Sequence, residues 1–332
     1  MNKIRTAIIG VGHLGKIHAR ICAEMPQVEL VGVVDVNEAT AREVAEKHNT
    51  RHFTRVEDAL EAIDAAHVVV PTDKHFAVTK ILLEAGKHVL LEKPITATVA
   101  EADELLALAR RHDRVLQVGH VERCNPAVIG IQKILTQPIF IEVHRLAPFN
   151  PRGTEVGVVL DLMIHDLDII LHLVQSPVER VDAVGIPVLT DKEDIANARL
   201  SFANGCVANV TASRVSAERM RKIRFFQSDA YISLDYMAQN AKLFRREGWQ
   251  ILDEQINFAG AQPLQSEIQS FVDCVIKGER PVVSGEAGRN ALDVAMRVTQ
   301  AIQEHLARLK RLHPQAAAAS MPPGAASGGP RA

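Results

Sequence analysis

The six residues Gly10-Val11-Gly12-His13-Leu14-Gly15 constrain this chain more than any others. Before them, Ile4 to Ile9 is a short, mostly apolar run of the kind that forms a buried parallel strand. After them, Ile17, Ile21 and Met25 keep a helical spacing. In the order strand, G-x-G-x-x-G, helix, each glycine has its own task. Gly10 permits the tight turn, Gly12 lets a pyrophosphate approach bare backbone, and Gly15 lets the helix pack close to the strand. Free N–H groups at the helix start then favour an anion. Alone, the motif also fits an ordinary glycine turn in an α/β domain. A second strand, Val28 to Val34, adds the missing context. It ends at Asp35, 20 residues after Gly15, where a ribose-binding carboxylate belongs. Asp35 can accept from both ribose hydroxyls and would repel a 2′-phosphate. The expected cofactor is therefore NAD, with His13 and Leu14 lining the same loop.

Strand and helix patterns keep alternating after Asp35. The spacing predicts helices over Ala39 to His48, Val56 to Ile63 and Phe76 to Ala85, and strands over His67 to Val70, His88 to Leu91 and Val115 to Val118. Thr98 suits the N-cap of a long helix reaching Arg111. This run predicts an α/β fold, an N-terminal doubly wound parallel sheet of the Rossmann type over residues 1–120. The pattern then changes. Pro126 to Leu135 reads as helix, Ile139 to Leu146 as a longer strand, and Val158 to Val174 as one apolar helix. Strand-like runs follow from Val178 to Phe258, broken by Asn204-Gly205, a strong hairpin signal, and Glu247-Gly248. Helices over Gln265 to Ile276 and Gly288 to Leu309 close the chain. Residues 121–312 thus read as an α+β domain with a large open, mainly antiparallel sheet. Residues 313–332 are mostly Ala, Pro, Gly and Ser and are expected to be a disordered tail.

Composition excludes some partners. A net charge of −2 gives no reason to expect nucleic acid or a membrane surface. No uncharged apolar run is long enough to span a bilayer, and the N-terminus lacks the apolar core of a secretory signal. Cys22, Cys124, Cys206 and Cys274 form no C-x-x-C pair, which points away from a structural metal and towards a reducing compartment. A cytoplasmic protein without a metal is the expectation.

Two places carry candidate chemistry. Glu92-Lys93-Pro94 follows the fifth strand directly, and ligands bind beyond the carboxyl ends of strands in an open α/β sheet. Lys93 can there hydrogen-bond a reacting oxygen, or it can be a solvated surface lysine. Asp161, His165 and Asp168 share the i, i+4, i+7 spacing on an otherwise apolar helix. One aspartate orienting His165 as a general base, a polar stripe facing solvent, and a partial metal site all fit that spacing. Pro71, Thr72 and His75 after the fourth strand are candidate cofactor contacts, though Thr72 and His75 can equally cap the next helix. Glu92 is a further candidate contact. Gly119 to Arg123 lies at the ligand end of the sixth strand. Arg123, Arg145, Arg152, Arg214 and Arg219 are arginines that can meet a phosphate or form surface ion pairs.

With Gly10 to Gly15, Glu92-Lys93-Pro94 and Asp161-x-x-x-His165 in this order, residues 3–310 resemble the glucose-fructose oxidoreductase / inositol dehydrogenase / MocA family. The resemblance implies a Rossmann domain followed by an α+β domain whose open sheet joins subunits, as a dimer or tetramer. It implies that Lys93 and His165 flank substrate and nicotinamide and that Asp161 places the substrate hydroxyls. The stretches Val118 to Ala127, Leu160 to Asp168 and Asn204 to Arg214 resemble the branch acting on UDP-N-acetylglucosamine, which prepares 3-amino sugars for lipid A. Cys124 stands where that branch is expected to have Phe. The implied activity is NAD-dependent oxidation of the sugar 3-hydroxyl. Lys93, Arg123, Asp161, His165 and Arg214 would contact this nucleotide-sugar, with either His165 or Lys93 as base. An inositol or polyol dehydrogenase, and a non-catalytic NAD(H) sensor, are the competing expectations.

Overall fold

In the computed structural model, which describes residues 3–151, 154, 156–258 and 260–312, two sheets divide the work. The first contains β1 (Ile4–Ile9), β2 (Val28–Val34), β3 (Arg51–Phe53), β4 (Ala65–Val68), β5 (His88–Glu92) and β6 (Leu116–Gly119), in the order β3-β2-β1-β4-β5-β6. Every pairing is parallel. Helices α1 (His13–Glu24), α2 (Glu38–Lys47), α3 (Thr72–Glu84) and α4 (Val99–Arg111) connect them. The strand order reverses between β1 and β4, which opens the crevice where a dinucleotide lies in this topology.

Local differences from the sequence reading have physical reasons. Glu57–Ala62 is a short 3-10 helix rather than an α-helix, since six residues barely repay the cost of nucleation. β3 has three residues, too few to show a period. α3 starts at Thr72, directly after Pro71 and earlier than the apolar spacing indicated. Thr98 does cap α4, in a full capping box with Glu101.

The second sheet holds β7 (Phe140–Leu146), β8 (Val178–Ile186), β9 (Ile195–Phe202), β10 (Val207–Ser213), β11 (Met220–Phe226), β12 (Ala230–Asp235), β13 (Asn240–Glu247) and β14 (Gln250–Asn257). Their order is β14-β13-β12-β11-β7-β10-β9-β8. Only β7 and β10 pair in parallel. The Asn204-Gly205 turn joins β9 to β10, with Gly205 at φ +86, a conformation that favours glycine. α5 (Pro126–Gln132) precedes β7. The expected Val158 to Val174 helix is two pieces: a π-helical turn over Val159–Met163, then α6 (Ile164–Val174). α6 and α8 (Gly285–Leu312) cover one face, where Ile141, Val143, Ile223, Phe225, Ile169 and Val298 share a core. The other face carries a row of rings, Phe140, Phe226, Tyr231 and Phe244, with successive centroids 5.4, 5.0 and 5.7 Å apart.

The sequence division near residue 120 is crossed twice. α7 (Pro263–Lys277) returns to the first sheet, where Ile268, Phe271 and Val272 pack with Ile8, Val33 and Leu90. α8 serves both cores: Leu292 packs with Val118, and Val298 with the second sheet. Gly288 permits the close approach, because a Cβ there would lie 2.6 Å from Val118 Cγ2. Residues 313–332 and Arg152 lie outside the described residues.

The capping box at Thr98 satisfies the backbone N–H groups of Thr98 and Glu101 in the first turn of α4. Thr98→Ala should lower unfolding stability by about 1 kcal/mol without altering the fold, as read by denaturant melts. An unchanged midpoint would mean that solvent replaces the cap at no cost.

Candidate active site

The glycine loop is shaped from both sides. Gly10 has φ +88, and a Cβ on it would meet Val69 O at 2.6 Å. A Cβ on Gly15 would meet Gly10 O at 1.9 Å. Around Gly12 the Cβ direction is empty for 4 Å, so this glycine opens onto free space. Residues His13 and Leu14 are exposed beside it. Asp35 completes the cradle. Its carboxylate accepts from Val11 N and Asn37 N, each at 2.9 Å, which fixes it beside the loop. An open Gly12, free N–H groups at the start of α1 and an anchored carboxylate fit the pyrophosphate and ribose of a dinucleotide.

Farther along the strand ends, His75 is buried, with its two ring nitrogens facing Pro94 O at 2.7 Å and Val70 O at 2.9 Å. It ties the loops after β4 and β5 together and has no nitrogen left for a cofactor. Pro71 is exposed and Thr72 half-buried at the same rim. Glu92 turns inward: its carboxylate lies near His18 Nε2, at 3.4 Å, and against Gly119, where a Cβ would approach it to 3.1 Å.

Lys93 reaches across to the second domain. Its Nζ donates to Asp161 O at 2.7 Å and to Asp161 Oδ1 at 3.3 Å. His165 follows on α6 and faces His120, the rings meeting edge to face at 6.1 Å. Among the described residues, His165 Nδ1 and both nitrogens of His120 are buried without a hydrogen-bond partner. Burial, Lys93, Arg145, His120 and Arg221 together hold the His165 pKa well below the ordinary imidazole value. Burial, Lys93 and Arg123 push His120 down to about 3. Both rings are therefore neutral at neutral pH, each with a lone pair to accept a proton.

Asp161, His165 and Asp168, which share the i, i+4, i+7 spacing, do not form one cluster, and the reading in which one aspartate orients His165 does not hold. The π-helical turn fits an extra residue into its winding, so Asp161 is rotated relative to an uninterrupted helix. It pairs with Lys93, while Asp168 is buried against Arg123 at 3.4 Å. Burial pushes Asp168 up to about 7, although Arg123 opposes the shift. Neither aspartate hydrogen-bonds His165.

The arginines also sort differently from expectation. Arg145 is buried and makes two bonds to Asp166, at 2.6 and 3.0 Å, and one to Glu122 at 3.1 Å. Arg214 is buried against Asp194 at 2.7 Å and donates to Val156 O and Thr190 Oγ1. Arg123 donates to Asp168 and to Val282 O. These three hold the second domain together, and a substrate phosphate would have to displace a buried carboxylate to reach them. Arg219 is exposed.

Two sequence matches cover nearly all of the first domain and about half of the second. Residues 4–120 match the NAD-binding Rossmann fold of an oxidoreductase family, and residues 139–233 match the GFO/IDH/MocA C-terminal domain. The chain belongs to the glucose-fructose oxidoreductase / inositol dehydrogenase / MocA family. Among members of the family, UDP-N-acetylglucosamine 3-dehydrogenase of Acidithiobacillus ferrooxidans is 40% identical over 316 residues, 93% of this chain and 100% of that protein. A solved structure of that enzyme superposes with a TM-score of 0.88 at 39% identity, covering 92% of this chain and 99% of that one. Scyllo-inositol dehydrogenase from Lactobacillus casei, solved with NAD(H) and scyllo-inositol, shares the fold at 20% identity and TM-score 0.79, covering 92% and 98%. This family member is thus an NAD-binding oxidoreductase.

Sequence reading passed over Glu267, which amphipathic spacing alone does not mark. On α7 it is fully buried behind Glu92, and neither carboxyl oxygen has a partner among the described residues. Burial, Glu92 and Asp168 raise its pKa well above the ordinary value, which favours its protonated form in the folded protein. A raised carboxyl pKa gives stability that is complete below the unfolded value of about 4.3 and is lost as pH rises through the folded value. Glu267→Gln removes that loss. Its melting temperature should be closest to wild type near pH 4 and gain on it steadily as the pH is raised towards 9. A gap independent of pH would mean that Glu267 is ionised throughout.

Proposed function

We propose that this chain oxidises the 3-hydroxyl of the N-acetylglucosamine ring in UDP-N-acetylglucosamine to a ketone, with NAD as acceptor. The observation that carries the reaction is the meeting of Lys93, held by Asp161, with a neutral and unpartnered His165 at the ligand end of the Rossmann sheet. The substrate follows from the 40% identity to an enzyme of that name over its full length.

NAD, when bound, supplies the hydride acceptor. The chain's own residues handle the proton and the oxygen. His165 takes the hydroxyl proton, since its lone pair is free and the surrounding cations keep the ring neutral. The Lys93 ammonium donates to the same oxygen and stabilises the negative charge that develops there. Asp161 holds Lys93 in place and accepts from a substrate hydroxyl. Lys93 could serve as base only after losing one of its three ammonium protons, whereas the His165 ring already carries a free lone pair, which supports His165 in that role.

Asp35 makes NAD the preferred cofactor, because its fixed carboxylate occupies the position a 2′-phosphate would need. The ringed outer face of the second sheet is the surface through which subunits would pair, as a dimer or tetramer. Four buried free thiols suit the cytoplasm. The 3-keto product is a form that amination converts to a 3-amino sugar, as lipid A precursors require.

Turnover with NAD and a panel of UDP-sugars, free sugars and inositols tests this reading. UDP-N-acetylglucosamine should give the highest kcat/KM. Preference for inositol or a free sugar would replace the substrate, and absence of turnover with any of them would favour a sensor. Lys93→Met and His165→Ala should each lower kcat by ~10²–10⁴-fold with NAD affinity kept. Near wild-type rates in both would remove them from the chemistry. Asp35→Ala should weaken NAD and narrow the gap to NADP, and a wild type that used both equally would overturn this role for Asp35.

A further inference from the structure

With Arg123, Arg145 and Arg214 committed to buried carboxylates, the diphosphate of a nucleotide-sugar needs another cation near His165. We propose that Arg221, at the start of β11, is the residue that binds it, an assignment that rests on the nucleotide-sugar reading above.

The sheet points Arg221 into the cleft. Ile223 and Phe225, with the same strand parity, are fully buried under the helices, so Arg221 lies on the helix-covered face. Its register partner on β7 is Arg145, which reaches Asp166 on α6 from that same face. Lys222 and Arg224 alternate to the outer face, where they meet Asp235 and Glu142. Ile223 and Phe225 are covered, whereas the Arg221 side chain is 45% exposed. The helical layer leaves this end of the strand open.

The guanidinium is under-used. Its one ion pair among the described residues is with Glu122, at 3.5 Å. The same Glu122 oxygen already accepts from Arg145 at 3.1 Å, and the other accepts from Asn125 at 3.2 Å. Arginine carries five donors in a planar fork, so most of this fork stays available for the paired oxygens of a phosphate. Burial and the Arg145 cation lower the Arg221 pKa, a cost that a bound anion would reverse. The charge of Arg219 also reaches Arg221, and that of Arg221 reaches His165. Arg221 therefore stands within electrostatic reach of the base, half-exposed, with Arg219 next to Arg221. An anionic group held there lies at a fixed remove from the reacting hydroxyl, which is how binding of a non-reacting part positions the ring.

UDP itself is the probe, titrated by calorimetry into the NAD-loaded full-length protein. Arg221→Ala should weaken UDP binding by roughly tenfold or more, and Arg221→Lys should recover part of the loss. The ratio of kcat/KM for the UDP-sugar to that for free N-acetylglucosamine should fall in the same proportion. Melting temperature and NAD affinity should be unchanged, which separates a binding role from a structural one. Arg221→Gln, which keeps the side chain's reach, covers the case in which the alanine variant is unstable. UDP affinity unchanged in the variants, or no UDP binding to wild type, would overturn the assignment. Failures of the two readings differ. UDP binding that needs Arg221, without oxidation of the UDP-sugar, leaves the anion site and removes the reaction. Oxidation with UDP binding indifferent to Arg221 does the reverse.

Discussion

The ion pair between Arg145 and Asp166 is the interaction on which the site depends. Both side chains are almost completely buried, and two short bonds join them in the planar geometry that arginine and carboxylate prefer. Charges in such a place cost several kcal/mol each in lost hydration, so neither would be stable without the other. The pair fixes α6 against β7. It therefore sets the rotation and height of His165, the residue immediately before Asp166 in the chain. Glu122 and the Tyr236 ring, 5.7 Å from the guanidinium, close the pair in. Burial alone would lower the pKa of Arg145, but the two carboxylates reverse that and raise it. Arg145 thus stays charged and contributes to keeping His165 neutral.

The same economy runs through the cleft, where neutral and charged groups are segregated by their surroundings. His120 and His165 are kept neutral by burial and by cations. Glu267 favours its protonated form because burial and two carboxyl neighbours disfavour its charge. Lys93 is paired with Asp161 at the boundary of the two domains, where both side chains retain some exposure. A proton-accepting ring and an oxygen-stabilising cation thus lie side by side with different tasks.

Legibility from sequence followed the range of the forces involved. The Rossmann half was legible because glycine geometry, strand runs and the Thr98 cap are local. The hairpin at Asn204-Gly205 was legible for the same reason. Lys93 and Asp161 could be marked as candidates from their places after a strand and on an apolar helix, and the structure brings them together. What sequence spacing missed was set by distant partners. Val158 to Val174 is apolar nearly all round, so its periodicity does not reveal the π-helical turn that separates Asp161 from His165 and Asp168. Arg145, Arg214 and Glu267 look like ordinary charged residues until elements distant in sequence bury them. Arg221 was overlooked for the opposite reason, since only the fold shows that its end of the strand is left uncovered.

The return of α7 to the first sheet bears on how such proteins can be recombined. The cofactor-binding half is not a contiguous cassette, because Ile268, Phe271 and Val272 from far along the chain fill one of its faces and Leu292 of α8 fills part of another. A chimera that exchanged everything after residue 120 for a relative's sequence would import a foreign piece of the nucleotide domain's own interior. Grafts that alter the sugar pocket are better cut twice, between β6 and the start of α7, so that the host keeps the helices that complete its own sheet.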